Sequence, residues 1–211
     1  MKNTFCIGIP TINRADLLIQ ALSKYSECYP NINIFVIDNG SQGLVSHDRV
    51  QVETPALNLG VAASWNRIME NSIKYGHTHT IILNDDIELC RDEQTIKILI
   101  NELHPEAFIK FPGTWCSFIL PNKIYESVGP FDTNFYPAYF EDNDYSRRIQ
   151  LGGFQIVERE ELRPTLYRNS MTIARDPSLN ENFDKNRHYY IYKWGGEPNK
   201  ELYETPFNQG V

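Results

Sequence analysis

The sequence predicts an α/β fold: a mostly parallel central sheet with helices on both faces. Three features carry this. Short apolar runs rich in β-branched residues recur at residues 4–9, 32–37 and 78–83, segments of helical period stand between them, and each run stops at a polar or proline-bearing cluster. Runs that are apolar throughout, instead of alternating, suit strands buried on both sides, as in a parallel sheet covered by helices.

The elements follow in order. Residues 4–9 read as a strand closed by Pro10. A helix follows, capped by Asn13 or Asp16, with Leu17, Leu18, Ala21, Leu22 and Tyr25 on its apolar face. The second strand, 32–37, ends in the turn Asp38-Asn39-Gly40-Ser41. Residues 49–53 read as a third strand, and Asn58-Leu59-Gly60 opens a helix that buries Val61, Trp65, Ile68, Met69 and Ile73. Residues 78–83 form the fourth strand. The second half is less regular: a helix over 92–103, a strand over 107–111, a Gly/Trp/Cys stretch, a short helix near 122–127 and a Gly129-Pro130 turn. A helix over 141–151 ends at Gly152-Gly153 as a left-handed cap, a strand follows at 154–157, and a polar, aromatic tail carries a helix over 186–194. No repeat, low-complexity run or linker divides the chain. Its 211 residues therefore predict a single domain, set against roughly 150 residues for a typical one.

Composition removes several function classes. Lys and Arg number 20 against 27 Asp and Glu, a net charge of −7, which argues against nucleic acid or an anionic membrane as the main partner. Hydrophobic content of 41% with 22% charged residues excludes wholesale disorder and fibrous repeats. No apolar run reaches the roughly 20 residues of a membrane span, and the amino terminus lacks a signal-peptide core. The expected setting is the cytoplasm. Cys6, Cys28, Cys90 and Cys116 are widely spaced with no Cys-x-x-Cys pair, so they read as reduced thiols.

In a parallel sheet, ligands bind beyond the carboxyl ends of the strands. Here those ends carry Pro10-Thr11, Asp38-Asn39 and Asn84-Asp85-Asp86, which are expected to converge on one cleft. Carboxylates at a strand end can hold Mg²⁺ or Mn²⁺, hard ions that prefer oxygen; a solvated acidic turn is the alternative. Asp38 can accept a hydrogen bond from a base N–H or a ribose hydroxyl, and it also suits ordinary turn chemistry. A second acidic cluster, Glu141-Asp142-Asn143-Asp144, stands at a helix start, where the macrodipole alone could explain it. A dehalogenase-type phosphatase would need Asp where Gly40 stands, and an EF-hand would need Gly where Arg147 stands. Neither Gly-x-Gly-x-x-Gly after the first strand nor a Walker A motif is present. His77 and His79 lack a third nitrogen or sulfur ligand at recognisable spacing, and Asn39-Gly40-Ser41 reads as a turn, not a glycosylation acceptor.

Taken together, Ile9-Pro10-Thr11-Ile12-Asn13-Arg14, Ile37-Asp38-Asn39-Gly40-Ser41, Asn58-Leu59-Gly60, Asn84-Asp85-Asp86 and Phe140-Glu141-Asp142-Asn143-Asp144 resemble, in content and order, the family 2 glycosyltransferases of the GT-A fold. The tail, from Asn186 to Gly195, resembles tails in this group. The whole chain is similar to the amino-terminal glycosyltransferase domain of a large chlorella-virus protein, which implies a part of a longer polypeptide in a host cytoplasm.

The resemblance implies a single GT-A (Rossmann-like) domain, with a nucleotide-binding half over about 1–110 and an acceptor-binding half over about 111–211. It implies a nucleoside-diphosphate sugar, with UDP as the expected carrier, and a glycan acceptor. Pro10 and Thr11 would lie along the base, Asp38 would read the pyrimidine N3–H, and Arg14 and Asn66 would lie near the nucleotide. Asp86 would ligate Mn²⁺ or Mg²⁺ on the diphosphate, Asp85 would face the ribose or donor sugar, and Asn84 stands where relatives carry the first acid of Asp-x-Asp. Asp142 would be the general base, assisted by Glu141 or Asp144, in one in-line displacement that inverts the anomeric carbon. One departure is that Tyr167-Arg168-Asn169-Ser170 lacks the metal-binding His of many relatives. Two other readings share parts of the pattern. A nucleotidyltransferase would require a Gly-rich basic loop after the first strand, and an inactive carbohydrate-binding module could use aromatic residues such as Trp115, Tyr136 and Tyr139 for stacking.

Overall fold

The chain is described here from a computed structural model covering residues 3–40, 43, 49–89, 91–167 and 180–209. Strand β1 is Phe5–Thr11, β2 Ile34–Asp38, β3 Val50–Glu53, β4 His79–Leu83, β5 Ile87–Glu88, β6 Phe108–Lys110, β7 Ser117–Pro121, β8 Ile156–Glu158 and β9 Leu166–Tyr167. The helices are α1 Ala15–Cys28, α2 Gly60–Lys74, α3 Glu93–Ile98, α4 Asn122–Val128, α5 Glu141–Leu151 and α6 Phe183–Trp194. Seven strands form one sheet in the order β3-β2-β1-β4-β7-β6-β8. The first four are parallel neighbours. β7 runs antiparallel to both β4 and β6, and β6 pairs parallel with β8. β5 and β9 pair apart from it.

Successive residues of a strand point to opposite faces, so each central strand feeds two cores. Ile7, Ile9, Ile34, Val36, Ile81 and Leu83 pack with Leu18, Ala21 and Tyr25 of α1. Ile37, Ile82, Phe118 and Leu120 meet Trp65, Ile68 and Met69 of α2 and Tyr145 and Ile149 of α5. Gly8 shows how closely α2 approaches β1: a Cβ there would lie 2.1 Å from Ile68 Cγ2. A third cluster, Phe135, Phe140, Tyr190 and Trp194, joins α6 to the segment before α5.

The structure corrects several local expectations. The N-cap position of α1 is Arg14, with no side-chain cap; Asn13 lies in the left-handed region at φ 54, and Asp16 already sits in the first turn. The helix expected over 92–103 changes character, becoming a π-helix over Leu99–Leu103. β5, β7 and β9 were not anticipated, and the strand at 154–157 shifts to Ile156–Glu158. Gly153, not Gly152, carries the left-handed turn after α5. α6 begins at Phe183 instead of residue 186. Cys6, Cys28 and Cys116 are free thiols, while Cys90, Ser41 and His47 lie outside the described residues. Among the described residues no helix is long and apolar enough to cross a membrane.

His77 and His79 are tied to different neighbours. His77 Nε2 meets Asn33 Nδ2 at 3.0 Å, whereas His79 Nδ1 meets Thr78 Oγ1 at 2.9 Å. Burial pushes His79 down from 6.5 to about 4 and also lowers His77. Between these two values the unfolded chain binds the proton that folded His79 refuses, so stability falls as pH drops from 6.5 towards 4. The expected loss from His79 is about 3 kcal/mol. Urea unfolding across that window checks this, and His79→Gln should flatten the slope.

Candidate functional site

Because β2, β1 and β4 run parallel, their carboxyl ends reach one edge of the sheet, and the chain reverses its order of strands between β1 and β4. A side-chain hydrogen bond spans that switch point: Thr11 Oγ1 donates to Asp85 Oδ2 at 2.8 Å, and the Ile12 N–H reaches the same oxygen at 3.4 Å. Asp38 is fully buried, and its Oδ1 accepts the Gly40 N–H at 3.1 Å. The Asn39 N–H donates to the Thr11 carbonyl at 2.9 Å. The three strand ends therefore do meet. Asp86 is buried beside Asp85, and its charge helps raise the Cys116 thiol, after the larger effect of burial. Asn84 ties the same edge to β7 through its N–H, which donates to the Cys116 carbonyl at 3.0 Å. Pro10 lies half-buried in register with Ile37 of β2.

Arg14 is buried at the start of α1, with Nε and Nη2 on the Asp16 carboxylate at 3.1 and 3.3 Å. Its Nη1 is buried without a hydrogen-bond partner. A guanidinium donor left open beside strand ends suits an anionic oxygen. Asn39, whose role the sequence did not disclose, works as a fork: Oδ1 accepts the Leu59 N–H and Nδ2 donates to Ser64 Oγ, both at 2.9 Å. It joins the end of β2 to the start of α2.

The second acidic cluster lies along the same edge, beyond β7. Glu141 is buried with Oε2 unpartnered; burial first, then the Asp142 charge, push its carboxyl well above the ordinary range. Burial also raises the half-buried Asp142. The Asn143 N–H, donating to Asp142 Oδ1 at 2.8 Å, and the Lys110 ammonium work against that rise. Lys110, at the end of β6, is a second participant with no local signal to mark it; it is paired with Glu158. Ahead of the pair, Tyr139 and Phe140 both take left-handed backbone, φ 79 and 73. For bulky residues this costs on the order of 1–3 kcal/mol each, and such strain collects at functional sites.

Two expected site residues have other tasks. Asn66 holds the chain at Phe131, accepting its N–H at 2.7 Å and donating to its carbonyl at 2.9 Å, so that both ends of its amide are engaged there. Asp144 is fully buried: Oδ2 meets Arg148 Nε at 2.9 Å, while Oδ1 meets Lys193 Nζ at 2.7 Å and Trp194 Nε1 at 2.9 Å. Fully buried and held by three donors, two of them cationic, it has little tendency to take an acceptor proton.

Among the described residues no three His, Cys, Asp or Glu side chains gather as a complete metal set. Asp85 and Asp86 nevertheless supply two adjacent, buried, hard-oxygen donors. That fits an ion which takes its other ligands from water and phosphate. Arg168 to Ser170, the stretch in which the resemblance leads to the expectation of a metal-binding His, lie outside the described residues. A cavity of about 340 Å³, lined by His77, His79, Asn122 and Lys123 among others, opens at the opposite, amino-terminal end of β4 and is separate from these carboxylates.

No protein-family model matches the chain, and no curated protein matches its sequence. Solved structures do match. A mannosyltransferase from Pyrobaculum calidifontis, in complex with GDP-Man and Mn²⁺, superposes with a TM-score of 0.64 at 13% identity, over 88% of this chain and 64% of that one. The fold is GT-A. Glucosyl-3-phosphoglycerate synthase from Mycobacterium tuberculosis, in complex with Mn²⁺, UDP and phosphoglyceric acid, gives 0.59 at 10% identity over 87% and 77%. S. aureus TarS gives 0.57 at 11% identity, over 74% of this chain and 35% of that one.

The Asp144 assignment has a direct consequence. Asp144→Ala leaves Arg148 without its carboxylate, Lys193 with Asp132 alone and the buried Trp194 N–H without its acceptor, and should cost about 3–5 kcal/mol. Thermal and urea unfolding measure this. A variant with wild-type stability would return Asp144 to the list of candidate bases.

Proposed function

We propose that this chain is a metal-dependent inverting glycosyltransferase that moves a sugar from a nucleoside-diphosphate donor to a hydroxyl of a glycan acceptor. The observation that carries it is the meeting of Thr11, Asp38, Asp85 and Asp86 at the switch point of a GT-A sheet, with a buried carboxyl pair farther along the same edge. Residues 1–110 form the nucleotide half of this reading and 111–211 the acceptor half.

Each residue takes a role that its surroundings support. Pro10, Thr11 and Asp38 border the nucleoside. Asp38 supplies an acceptor for a pyrimidine N3–H, which makes UDP the favoured carrier. Arg14 turns its open Nη1 to the diphosphate. Asp86, with Asp85 beside it, would hold Mn²⁺ or Mg²⁺, as the Mn²⁺ in two of the matched structures encourages. When bound, the ion supplies positive charge to the leaving diphosphate. Asp142 takes the acceptor proton as that oxygen attacks the anomeric carbon, so one displacement inverts configuration; the C–O bond to the diphosphate breaks as the new glycosidic bond forms. Glu141, pushed well above the ordinary carboxyl range by burial and by the Asp142 charge, is the member of the pair less suited to carry charge. The likeness to a viral amino-terminal domain, and with it a place within a longer chain in a host cytoplasm, rests on motif order and the tail alone.

Two variants test the assignment. Asp86→Ala should abolish most metal-dependent UDP affinity with the fold intact, read by calorimetric titration of UDP with and without Mn²⁺; unchanged metal dependence would place the ion elsewhere. Asp142→Asn preserves size and the bond to the Asn143 N–H but cannot take a proton, so transfer should fall by on the order of 10² to 10⁴ while UDP affinity survives. Wild-type turnover in that variant would reduce Asp142 to a helix-start residue, a role that Asn fills as well as Asp.

A further inference from the structure

The chain before the carboxyl pair is held by the last long helix, α6. Asn186 of α6 is 1% exposed. Its Nδ2 donates to the Ala138 carbonyl at 2.8 Å, with the Tyr139 and Tyr136 carbonyls at 3.3 and 3.4 Å. These three carbonyls belong to the segment that enters the left-handed pair Tyr139-Phe140 and then α5. Aromatic contacts from the same helix reinforce the hold: Phe183 lies 5.2 Å from both the Tyr139 and Phe140 rings, and Tyr190 lies 5.7 Å from Phe140.

We propose that Asn186 is a positioning residue for the Glu141–Asp142 pair. Its amide gathers the carbonyls of Tyr136, Ala138 and Tyr139, stabilises the left-handed turn and so fixes where the two carboxyl groups point and how deeply Glu141 is buried. A backbone that must place two bulky residues at positive φ needs partners that exist only in that conformation, and one amide serving three carbonyls is such a partner. The catalytic consequence rests on the transferase reading above; the placement of the pair does not.

The charged and titratable groups around Glu141 come from every element packed there. Asp142 and Asp144 lie on α5, Asp144 being matched by Arg148 and by Lys193 of α6. Lys110 faces Asp142 from β6, and the Tyr139 hydroxyl, raised first by burial and then by Glu141, belongs to the turn itself. Asn186 adds no charge to this set, so its effect must come through geometry.

The test is Asn186→Leu, which preserves volume and removes the donors, with Tyr189→Phe as control. Tyr189 docks the same helix by donating to Asp132 Oδ2 at 3.0 Å but is not bonded to the carbonyls of 136–139. Carboxyl-¹³C NMR titration of Glu- and Asp-labelled protein should show the raised Glu141 midpoint falling by a unit or more in Asn186→Leu and staying put in Tyr189→Phe. Transfer turnover should drop roughly 10- to 100-fold at unchanged UDP affinity. An unchanged midpoint in Asn186→Leu, or the same fall in Tyr189→Phe, overturns the proposal. The titration decides whether or not the protein proves to be a transferase, so failure of the wider reading stays distinct. If Asn186→Leu does not fold, Asn186→Ser, which is smaller and uncharged, is judged by the same midpoint.

Discussion

A sheet buried on both faces leaves only its strand ends for polar chemistry, and that constraint governs this molecule. β1, β2 and β4 are buried along nearly their whole length and supply Phe5, Ile7, Ile9, Ile34, Val36, Ile37, Ile81, Ile82 and Leu83 to the two cores. The first places where oxygen and nitrogen can gather without disturbing that packing are Thr11, Asp38 and Asp85-Asp86. Parallel pairing then brings those ends to one edge. The Thr11–Asp85 hydrogen bond is the local expression of this geometry, and Gly8 is its counterpart in packing. Without a side chain at Gly8, Ile68 can seat α2 close against β1 and bring the fork of Asn39 within reach of Leu59 and Ser64.

The other half of the edge has a weaker scaffold. There β7 runs against its neighbours, β6 and β8 are short, and the acidic helix α5 is anchored from the side. Lys193 bridges Asp132 and Asp144 at 2.7 Å each, and Trp194 completes the set by donating to Asp144. Such a buried network is sensitive to loss of any one member. It commits α6 to α5 and to the loop that Asn66 grips at Phe131. The tail thus serves as a structural wall of the acidic end, which explains why polar residues at Asn186 and Lys193 lie buried on a helix of otherwise mixed character.

How much of this was legible follows the same division. The parallel half announced itself, because continuous apolar runs and strand-end polar clusters are local signals; α5 was legible in full from Glu141 to Leu151. β7 was not. Its run, Ser117–Pro121, is five residues long and follows a Trp-Cys stretch, so nothing local distinguishes an inserted antiparallel strand from a loop. Asp144 and Asn66 misled for another reason. A carboxylate two residues from a candidate base and an amide on a cleft-side helix look functional in sequence, and only tertiary partners show that Arg148, Lys193 and Phe131 have claimed them. Lys110 and Asn186 were missed because they act across the fold. The signal for Asn186 lay in the tail motif itself, where an Asn opens an otherwise aromatic and basic run.

The two members of the acidic pair are not equivalent, and the asymmetry comes from their neighbours. Asp142 has compensation for its charge: an N–H from Asn143 and the Lys110 ammonium, with part of the side chain open to water. Glu141 has little, since one oxygen is buried without a partner and the nearest charge is the repelling Asp142. Adjacent carboxyl groups do not tolerate charge equally when their surroundings differ: burial and the Asp142 charge push Glu141 well above the ordinary range, while the Asn143 N–H and Lys110 restrain the rise at Asp142. A neighbouring negative charge makes a carboxyl harder to ionise, so a Glu141 that resists charge lessens the repulsion Asp142 meets. The depth at which Glu141 sits follows from the backbone that enters α5, through the left-handed pair Tyr139-Phe140 and the carbonyls that Asn186 holds.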